Sequence, residues 1–166
     1  MTRSRLFDTI LREHDDDVDT RAAVVIKKKG TNKVLGCRGW GKRLGDDGEI
    51  EAILDLPKGH LRKGEDLQRG AAREALEETG IKVGQLMEIG QFDYGRKGRT
   101  LTVYYAEESF DINELKCTST FENVYGQTVP EMVGYHLVDV GDLAPWFKSL
   151  RPIMRQCYEW MEENAE

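Results

Sequence analysis

The chain has 166 residues, of which 39% are hydrophobic and 33% are charged, and its formal net charge is −6 at pH 7. This length and composition predict one globular domain with a sizeable core and exclude an intrinsically disordered protein. The negative charge argues against a dedicated non-specific nucleic-acid binder, although it is compatible with an enzyme that has a local basic pocket.

The apolar residues and the cysteines narrow the class of protein further. No apolar run approaches the ~20 residues of a membrane-spanning helix, and the N-terminus lacks the apolar core of a signal peptide. Cys37, Cys117 and Cys157 are widely spaced and show no metal-type pairing. We therefore expect reduced thiols in a cytoplasmic protein with no membrane partner.

Residues 1–20 are polar and precede the predicted domain, which spans residues 21–166. Two structures fit this segment equally well. It is either a frayed tail or a short helix with one apolar side, formed by Leu6, Phe7, Ile10 and Leu11.

Strands and glycine-bearing turns follow along most of the domain. Strands are predicted over residues 21–28, 34–40, 49–56, 82–94, 100–107 and 133–140. The third strand is expected to end at Pro57, which cannot donate to a sheet ladder. Residues 39–48 are predicted as a mobile loop, residues 109–130 as a functional loop or an insertion, and residues 142–148 and 152–163 as helices. This mixture indicates an α/β domain.

A loop at Gly59 leads into a predicted helix that ends at Thr79, before Gly80 in a left-handed terminal position. Glu74, Glu77 and Glu78 are spaced i, i+3, i+4 on this helix and therefore share one face. The side expected to pack against the domain carries Gln68, Ala72, Ala75, Leu76 and Thr79.

Three carboxylates on one helix face repel each other, by about 3 kcal/mol per pair at ~6 Å and an effective dielectric of 20. Arg73 is the nearby cation on the helix, and its pair with Glu77 is worth only ~0.2–0.5 kcal/mol. A divalent metal would offset the repulsion better, and hard oxygen ligands favour Mg²⁺, with Mn²⁺ as a substitute. The alternative is a solvated acidic helix face.

The same stretch resembles the Nudix box, the signature of the Nudix hydrolases. The matching positions are Gly59, Glu65, Arg73, Glu74, Glu77, Glu78, Gly80 and Ile81, each at the spacing of the motif. Ala75 departs mildly, because a larger aliphatic residue is usual there. The resemblance implies an αβα sandwich, with a mixed sheet between helices, and hydrolysis of a phosphoanhydride bond.

The resemblance also implies roles for individual residues. Glu74, Glu77, Glu78 and the Gly59 carbonyl would be metal ligands, with Arg73 and Glu65 as supporting groups. The general base would be either a glutamate of the box or an acid from a later loop.

Glu131 is the first candidate for that later acid and Glu122 the second, although each could be an ordinary surface acid. Lys58 is placed to reach a substrate phosphate or the attacking water; otherwise it is a solvated lysine.

Residues 56–60 resemble the start of the box in asymmetric diadenosine tetraphosphate hydrolases and in diphosphoinositol polyphosphate hydrolases. Residues 84–86 and 100–107 are similar to the diadenosine group. Substrate contacts are predicted for aromatic residues that could stack a base, namely Phe92, Tyr94 and Tyr104, and for cations that could hold phosphates, namely Arg38, Arg96, Lys97 and Arg99. The alternatives are core aromatics and a solvated turn.

Three functions fit this sequence. The first is a Mg²⁺-dependent hydrolase of dinucleoside polyphosphates such as diadenosine tetraphosphate. The second is the same chemistry on an oxidised nucleoside triphosphate, ADP-ribose, an RNA 5′ end or a diphosphoinositol polyphosphate. The third is a non-catalytic module that binds a nucleotide and regulates a partner. The expected ligand is therefore a small nucleotide or polyphosphate, and nucleic acid enters only as an RNA 5′ end. Both a monomer and a homodimer remain open.

Overall fold

A computed structural model describes residues 19–164. The prediction for residues 1–18 lies outside that range, while Asp19 and Thr20 already belong to the first strand. The strands are β1 (Asp19–Lys28), β2 (Lys33–Gly39), β3 (Leu54–Asp55), β4 (Lys58–His60), β5 (Met87–Asp93), β6 (Arg99–Glu108), β7 (Thr120–Glu122), β8 (Thr128–Pro130) and β9 (Met132–Asp139). The helices are α1 (Leu67–Thr79), a short 3-10 helix (Ile112–Glu114) and α2 (Arg151–Glu163).

A seven-stranded mixed sheet forms the middle layer of the domain. Its order is β3-β2-β1-β6-β5, with β4 also paired to β1 and β9 also paired to β2. β1 runs parallel to β6 and antiparallel to β2 and β4. β7 and β8 form a separate hairpin.

Successive side chains along β1 point to opposite faces of the sheet, so the core consists of two layers. The side chains of Ala22 and Val24 face α1, whereas those of Ala23 and Val25 face α2. Helices on opposite faces of a mixed sheet are the predicted αβα sandwich, so the predicted fold class is confirmed. Among residues 19–164, no helix combines the length and apolar composition that a membrane span requires.

The hairpin of β1 and β2 opens into a fork, and this fork positions the site. The two strands pair at Lys27 and Val34 near the turn. Further along, β3 pairs with β2 and β4 pairs with β1, so residues 54–60 fill the gap between them. Pro57 lies at the junction, where its carbonyl accepts a hydrogen bond from the Val24 N–H at 3.1 Å. Gly59 was predicted in a loop, but it lies in strand β4.

The packing side of α1 was predicted correctly only in part, since Ala75 and Thr79 are buried as expected. Gln68 and Leu76 are exposed, whereas Glu74 and Glu78 are buried together with Ala75. The reason is that the helix is rotated so that its glutamates face the fork of the sheet. The C-terminal end of α1 agrees with prediction, since Gly80 has φ 83°. At its N-terminus, for which no cap was predicted, the Asp66 side chain accepts a hydrogen bond from the Arg69 N–H.

Four other predicted elements differ from the structure. Residues 142–148 form turns and not a helix, the strand predicted over 49–56 shrinks to Leu54–Asp55, and the one predicted over 82–94 shrinks to Met87–Asp93. Residues 109–130 contain the 3-10 helix and the hairpin of β7 and β8. Local patterns missed these features because contacts with distant residues determine them.

Candidate active site

Glu74 lies directly against the backbone of Gly59. Its side chain is buried, and a Cβ atom at position 59 would collide with its carboxylate. Gly59 is therefore required for close approach between β4 and α1. Burial raises the pKa of Glu74, whereas the Arg73 charge acts in the opposite direction.

Glu78 is one turn further along α1 and is only 3% exposed. One of its carboxylate oxygens accepts a hydrogen bond from the Lys58 backbone N–H at 3.3 Å. Burial raises the pKa of Glu78, and repulsion by the adjacent Glu74 carboxylate raises it further. The structure thus brings two buried carboxyl groups together at the fork of the sheet.

Arg73 ties α1 to the preceding loop. Its Nε and Nη2 atoms donate to the two Glu65 oxygens at 2.8 and 2.9 Å, and Nη1 contacts Glu74 at 2.9 Å. The Nη2 atom also donates to the His60 carbonyl at 3.0 Å. Hydrogen bonds from Arg73 and from the Arg62 N–H lower the pKa of Glu65 to about 2. Arg73 therefore contacts both Glu74 and strand β4, whereas Glu65 is linked to them through Arg73.

Glu77, the third predicted metal ligand, is turned toward two arginines. Its oxygens lie 3.1 Å from Arg62 Nη2 and 3.3 Å from Arg73 Nη1. Within the described range, no three acidic, histidine or cysteine side chains converge at metal-ligand distance. Glu74 and Glu78 nevertheless fit a hard divalent cation, because both are buried oxygen donors beside the open backbone of Gly59.

Of the two candidate bases, Glu131 lies near the carboxylate pair and Glu122 is exposed on β7. The Glu131 charge contributes to the raised pKa of Glu78. Its backbone is held at both ends, since its N–H donates to Ser119 and its carbonyl accepts from Trp40, each at 3.1 Å. Its role as the general base stays a prediction.

Lys58 has a different environment from the one predicted. It pairs with Ala23, which faces α2, so its side chain leaves β4 on the side opposite Glu74. Its Nζ lies 2.8 Å from an Asp55 oxygen and 5.6 Å from the centre of the Tyr94 ring. Burial lowers the pKa of Lys58, but attraction to Asp55, Tyr94 and Glu78 together with the hydrogen bond to Asp55 leaves the pKa above its usual value.

The aromatic residues predicted to stack a base pack in or against the hydrophobic core. Tyr104 is 2% exposed and packs under α1, while Tyr94 is 7% exposed and packs on the other face of the sheet. Phe92 also packs against the α2 side. Tyr104 therefore lies in the layer opposite Phe92 and Tyr94, so the three rings do not share one surface.

Arg38 does not reach the carboxylates. It pairs with Leu54 on the α2 side, and its guanidinium donates to His136 at 3.2 Å and to the Lys42 carbonyl at 3.0 Å. Burial, followed by the Arg38 charge, lowers the pKa of His136.

Arg99 belongs to a cluster of cations that sequence reasoning did not foresee. Around the largely buried carboxylate of Asp19 lie Arg21 and Arg99 at 3.1 Å, His60 at 2.9 Å and Arg96 at 3.9 Å. We call these residues the Asp19 cluster. Even with neutral His60, three arginines around one aspartate leave an excess of positive charge beside strand β4. Lys97, in the same turn, is exposed.

Sequence reasoning also missed the contacts that fix the end of α1. The Tyr135 hydroxyl donates to the Glu78 carbonyl at 2.6 Å. Backbone N–H groups of Lys116 and Thr118 donate to the carbonyls of Thr79 and Glu77 at 3.0 and 2.7 Å. These bonds satisfy carbonyls that a helix end leaves open. No local sequence signal marks them, because the partners are far apart along the chain.

A cavity of about 930 Å³ lies away from the carboxylates, on the α2 side of the sheet. Its lining includes Lys27, Tyr105, Arg155 and Trp160. Tyr105 and Trp160 form a tilted aromatic pair at 5.4 Å. The cavity contains none of the glutamates of the box, so the candidate site is the open surface at the fork.

Comparison with known proteins agrees with this geometry. The NUDIX domain family model matches residues 18–161, which is most of the chain. Nudix hydrolase 17, mitochondrial, of Arabidopsis thaliana is 31% identical over 84 residues, which are 43% of this chain and 46% of that protein. The chain thus spans less than half of that relative's length.

Solved structures show the same fold at low identity. A MutT protein from Methanosarcina mazei Go1 has a TM-score of 0.59 at 18% identity, covering 89% of this chain and 96% of that one. A C. elegans Ap4A hydrolase in a binary complex has a TM-score of 0.59 at 19% identity, covering 88% and 99%. Together with the family match and the arrangement of Gly59, Arg73 and the glutamates, these findings show that the chain belongs to the Nudix family.

Proposed function

We propose that this chain is a divalent-metal-dependent hydrolase that cleaves a phosphoanhydride bond in a nucleoside diphosphate linked to another moiety. The observation that carries this proposal is the pair of buried carboxyl groups, Glu74 and Glu78, against the backbone of Gly59. Burying two adjacent carboxylates is costly unless a cation compensates their charge. Nudix proteins generally use a divalent metal, and an all-oxygen site favours Mg²⁺ with Mn²⁺ as a substitute.

Each residue of the site has its own role in the proposed reaction. Glu74, Glu78 and the Gly59 carbonyl are the proposed metal ligands, with Glu77 recruited from its contact with Arg62. When bound, the divalent ion would neutralise phosphate charge and acidify a coordinated water.

Two further residues complete this assignment. Arg73 holds Glu74 in place through its guanidinium, and the Glu131 carboxylate accepts a proton from the attacking water. Lys58 contributes its backbone N–H to Glu78, which keeps that carboxylate oriented.

A dinucleoside polyphosphate such as diadenosine tetraphosphate is the proposed substrate. Residues 56–60 support this choice through their resemblance to asymmetric diadenosine tetraphosphate hydrolases. The fold match to an Ap4A hydrolase is consistent with it. His60, a member of the Asp19 cluster, directly follows Gly59 in strand β4. The arginines of the cluster are therefore available to phosphates that extend beyond the cleaved bond.

The same cluster favours a second candidate, a diphosphoinositol polyphosphate, because this substrate carries many phosphates and no base. Oxidised nucleoside triphosphates, ADP-ribose and an RNA 5′ end remain substrates for comparison. A non-catalytic nucleotide-binding module is the remaining alternative, although this chain keeps every glutamate of the box.

The test is a panel of these substrates with Mg²⁺, run on the wild-type protein and on Glu78→Gln. We expect turnover of the tetraphosphate by the wild type and a loss of at least about 100-fold in the variant, as for removal of a group that stabilises the transition state. Glu88→Gln, at an exposed position of β5, is the matched control and should keep normal turnover. Turnover of no diphosphate by the wild type would reject the proposal.

Chain-length preference is tested by Arg96→Ala, which removes the most exposed arginine of the Asp19 cluster. We expect a higher KM for diadenosine tetraphosphate and little change for ADP-ribose, which has a shorter phosphate bridge. Arg69→Ala is the control, because Arg69 is an exposed arginine paired only with the cap residue Asp66. An equal effect of both variants would remove the cluster from the substrate site.

A further inference from the structure

An exposed aromatic pair lies beside the candidate site and belongs to neither core layer. Trp40 is 38% exposed and Phe121 is 41% exposed. Their ring centres are 6.3 Å apart and their planes meet at 81°, so the edge of one ring points at the face of the other. This geometry leaves aromatic surface open to solvent, where it is available to a ligand.

Trp40 is connected to the site through Glu131. Its backbone N–H donates to the Glu131 carbonyl at 3.1 Å, and its neighbours in the chain are Gly39 and Gly41. Gly41 has φ 85°, a conformation that favours glycine, so the chain turns immediately after Trp40. The position of Trp40 is therefore set by the same strand connection that places the candidate base.

Phe121 is connected to the site through α1. It pairs with Val129 in the hairpin of β7 and β8. Two residues earlier, the Ser119 N–H donates to the Glu77 carbonyl at 3.3 Å. The aromatic pair thus bridges two segments that are each hydrogen-bonded to an element carrying a site residue.

Strand β2 connects Trp40 to the C-terminal end of α1. Cys37 pairs with Tyr135, whose hydroxyl donates to the Glu78 carbonyl. Trp40 is three residues further along, which is about 10 Å in an extended chain.

We propose that Trp40 and Phe121 form the platform on which the nucleobase of the substrate stacks. This inference rests on the proposed function, because only a nucleotide substrate would bring a base to this surface. It replaces the stacking role predicted for Tyr94 and Tyr104, which are buried in opposite core layers. It also favours a nucleotide over a diphosphoinositol polyphosphate, which has no base to stack.

The test compares the binding of adenosine monophosphate and ribose 5-phosphate, which share a phosphate and differ in the base. Calorimetry on the wild-type protein should show tighter binding of adenosine monophosphate. Trp40→Ala and Phe121→Ala should each weaken that binding by about five- to 150-fold, the usual range for loss of one stacking contact, and should leave ribose 5-phosphate unaffected.

Two control variants separate stacking from general effects. Tyr125→Ala removes an 80% exposed aromatic residue at the tip of the same hairpin and should bind adenosine monophosphate normally. Trp40→Phe should keep most of the affinity but lose the quenching of tryptophan fluorescence by the nucleotide. The other tryptophans lie on the α2 side of the sheet and should not respond. Thermal unfolding of each variant checks that the fold is intact.

The outcomes separate this inference from the proposed function. If the wild type binds both ligands equally, or if folded Trp40→Ala and Phe121→Ala keep the preference for the base, the platform is rejected while hydrolysis of a diphosphate can still stand. If the preference depends on Trp40 but no diphosphate is hydrolysed, the proposed reaction fails and the platform remains.

Discussion

The carboxyl group of Glu78 is buried, and its neighbours disfavour the charged form. The Lys58 N–H supplies one hydrogen bond, while Glu74 and Glu131 add negative charge nearby. A carboxyl group in this environment retains its proton to higher pH than a solvated one. Placing this carboxyl group in a site that disfavours its charge lowers the stability of the folded protein. We attribute this loss of stability to the function of its oxygens in holding a cation.

The Glu78→Gln variant tests this cost through stability. A raised pKa in the folded state means that folding favours the protonated carboxyl, so its contribution to stability is lost as pH rises from the unfolded value toward the folded one. Glutamine keeps the shape without the charge. Without metal, we expect the variant to gain at least about 1 kcal/mol over the wild type by pH 8, the equivalent of one pKa unit.

Urea unfolding at pH 5 and pH 8 measures this gain. The difference between the two proteins should grow with pH, because only in the wild type does unfolding release a proton from position 78. A variant that is less stable than the wild type at pH 8 would show that the carboxylate is well compensated in the folded protein.

At the scale of elements, the site depends on how closely β4 approaches α1. Gly59 allows the Glu74 carboxylate to lie over the strand, and a side chain there would displace it. The short buried residues Gly70, Ala71 and Ala75 keep the helix near the sheet. The backbone of residues 116–118 then closes the C-terminal end of α1 and leads into the aromatic hairpin.

Gly59→Ala should therefore damage the site more than the fold. We expect a loss of about 1–3 kcal/mol in stability from overpacking. Metal affinity should fall by about 10–100-fold, as when support for metal ligands is removed. Urea unfolding and Mg²⁺ calorimetry measure the two effects.

Gly84→Ala is the matched control for this substitution. A Cβ there would lie 3.6 Å from a Glu108 oxygen, an ordinary contact, and Gly84 has no left-handed backbone. The control should keep both stability and metal affinity. Unchanged metal affinity in Gly59→Ala would contradict the close contact between Gly59 and Glu74.

At the scale of the whole molecule, the sequence predicted the elements whose signals are local. The strand over 21–28, the helix end at Gly80 and the helix over 152–163 each agree with the structure, at or near the expected residues. The motif spacing also predicted that Glu74 and Glu78 would lie near Gly59. The supporting contact of Arg73 with Glu65 was implied by family resemblance and not by helix spacing.

What the sequence could not predict depends on tertiary contacts. The indole N–H of Trp146 bonds to the Tyr158 hydroxyl at 2.9 Å, and this buried contact holds residues 142–148 in turns. The N–H groups of Ile53 and Leu54 bond to Pro145 and not to a neighbouring strand, which shortens β3. The turn of the β7–β8 hairpin depends on Asn123, whose side chain accepts from the N–H groups of Tyr125 and Gln127.

The burial of the aromatic residues could not be predicted for a related reason. Period-2 alternation places aromatic residues on a strand face, but it does not say which faces are covered by a helix. Tyr94 and Tyr104 are covered by opposite layers, whereas Trp40 and Phe121 lie beyond both.

The central claim, that Glu74 and Glu78 hold a divalent cation, is tested most directly by calorimetry of Mg²⁺ binding with nucleotide present, in buffers of different ionisation enthalpy. Because the proton on Glu78 must leave before its oxygens bind metal, we expect saturable binding that releases protons and strengthens as pH rises. This proton-linked binding should disappear in Glu78→Gln. An absence of saturable Mg²⁺ binding by the wild type, or equal affinity in the variant, would contradict the claim.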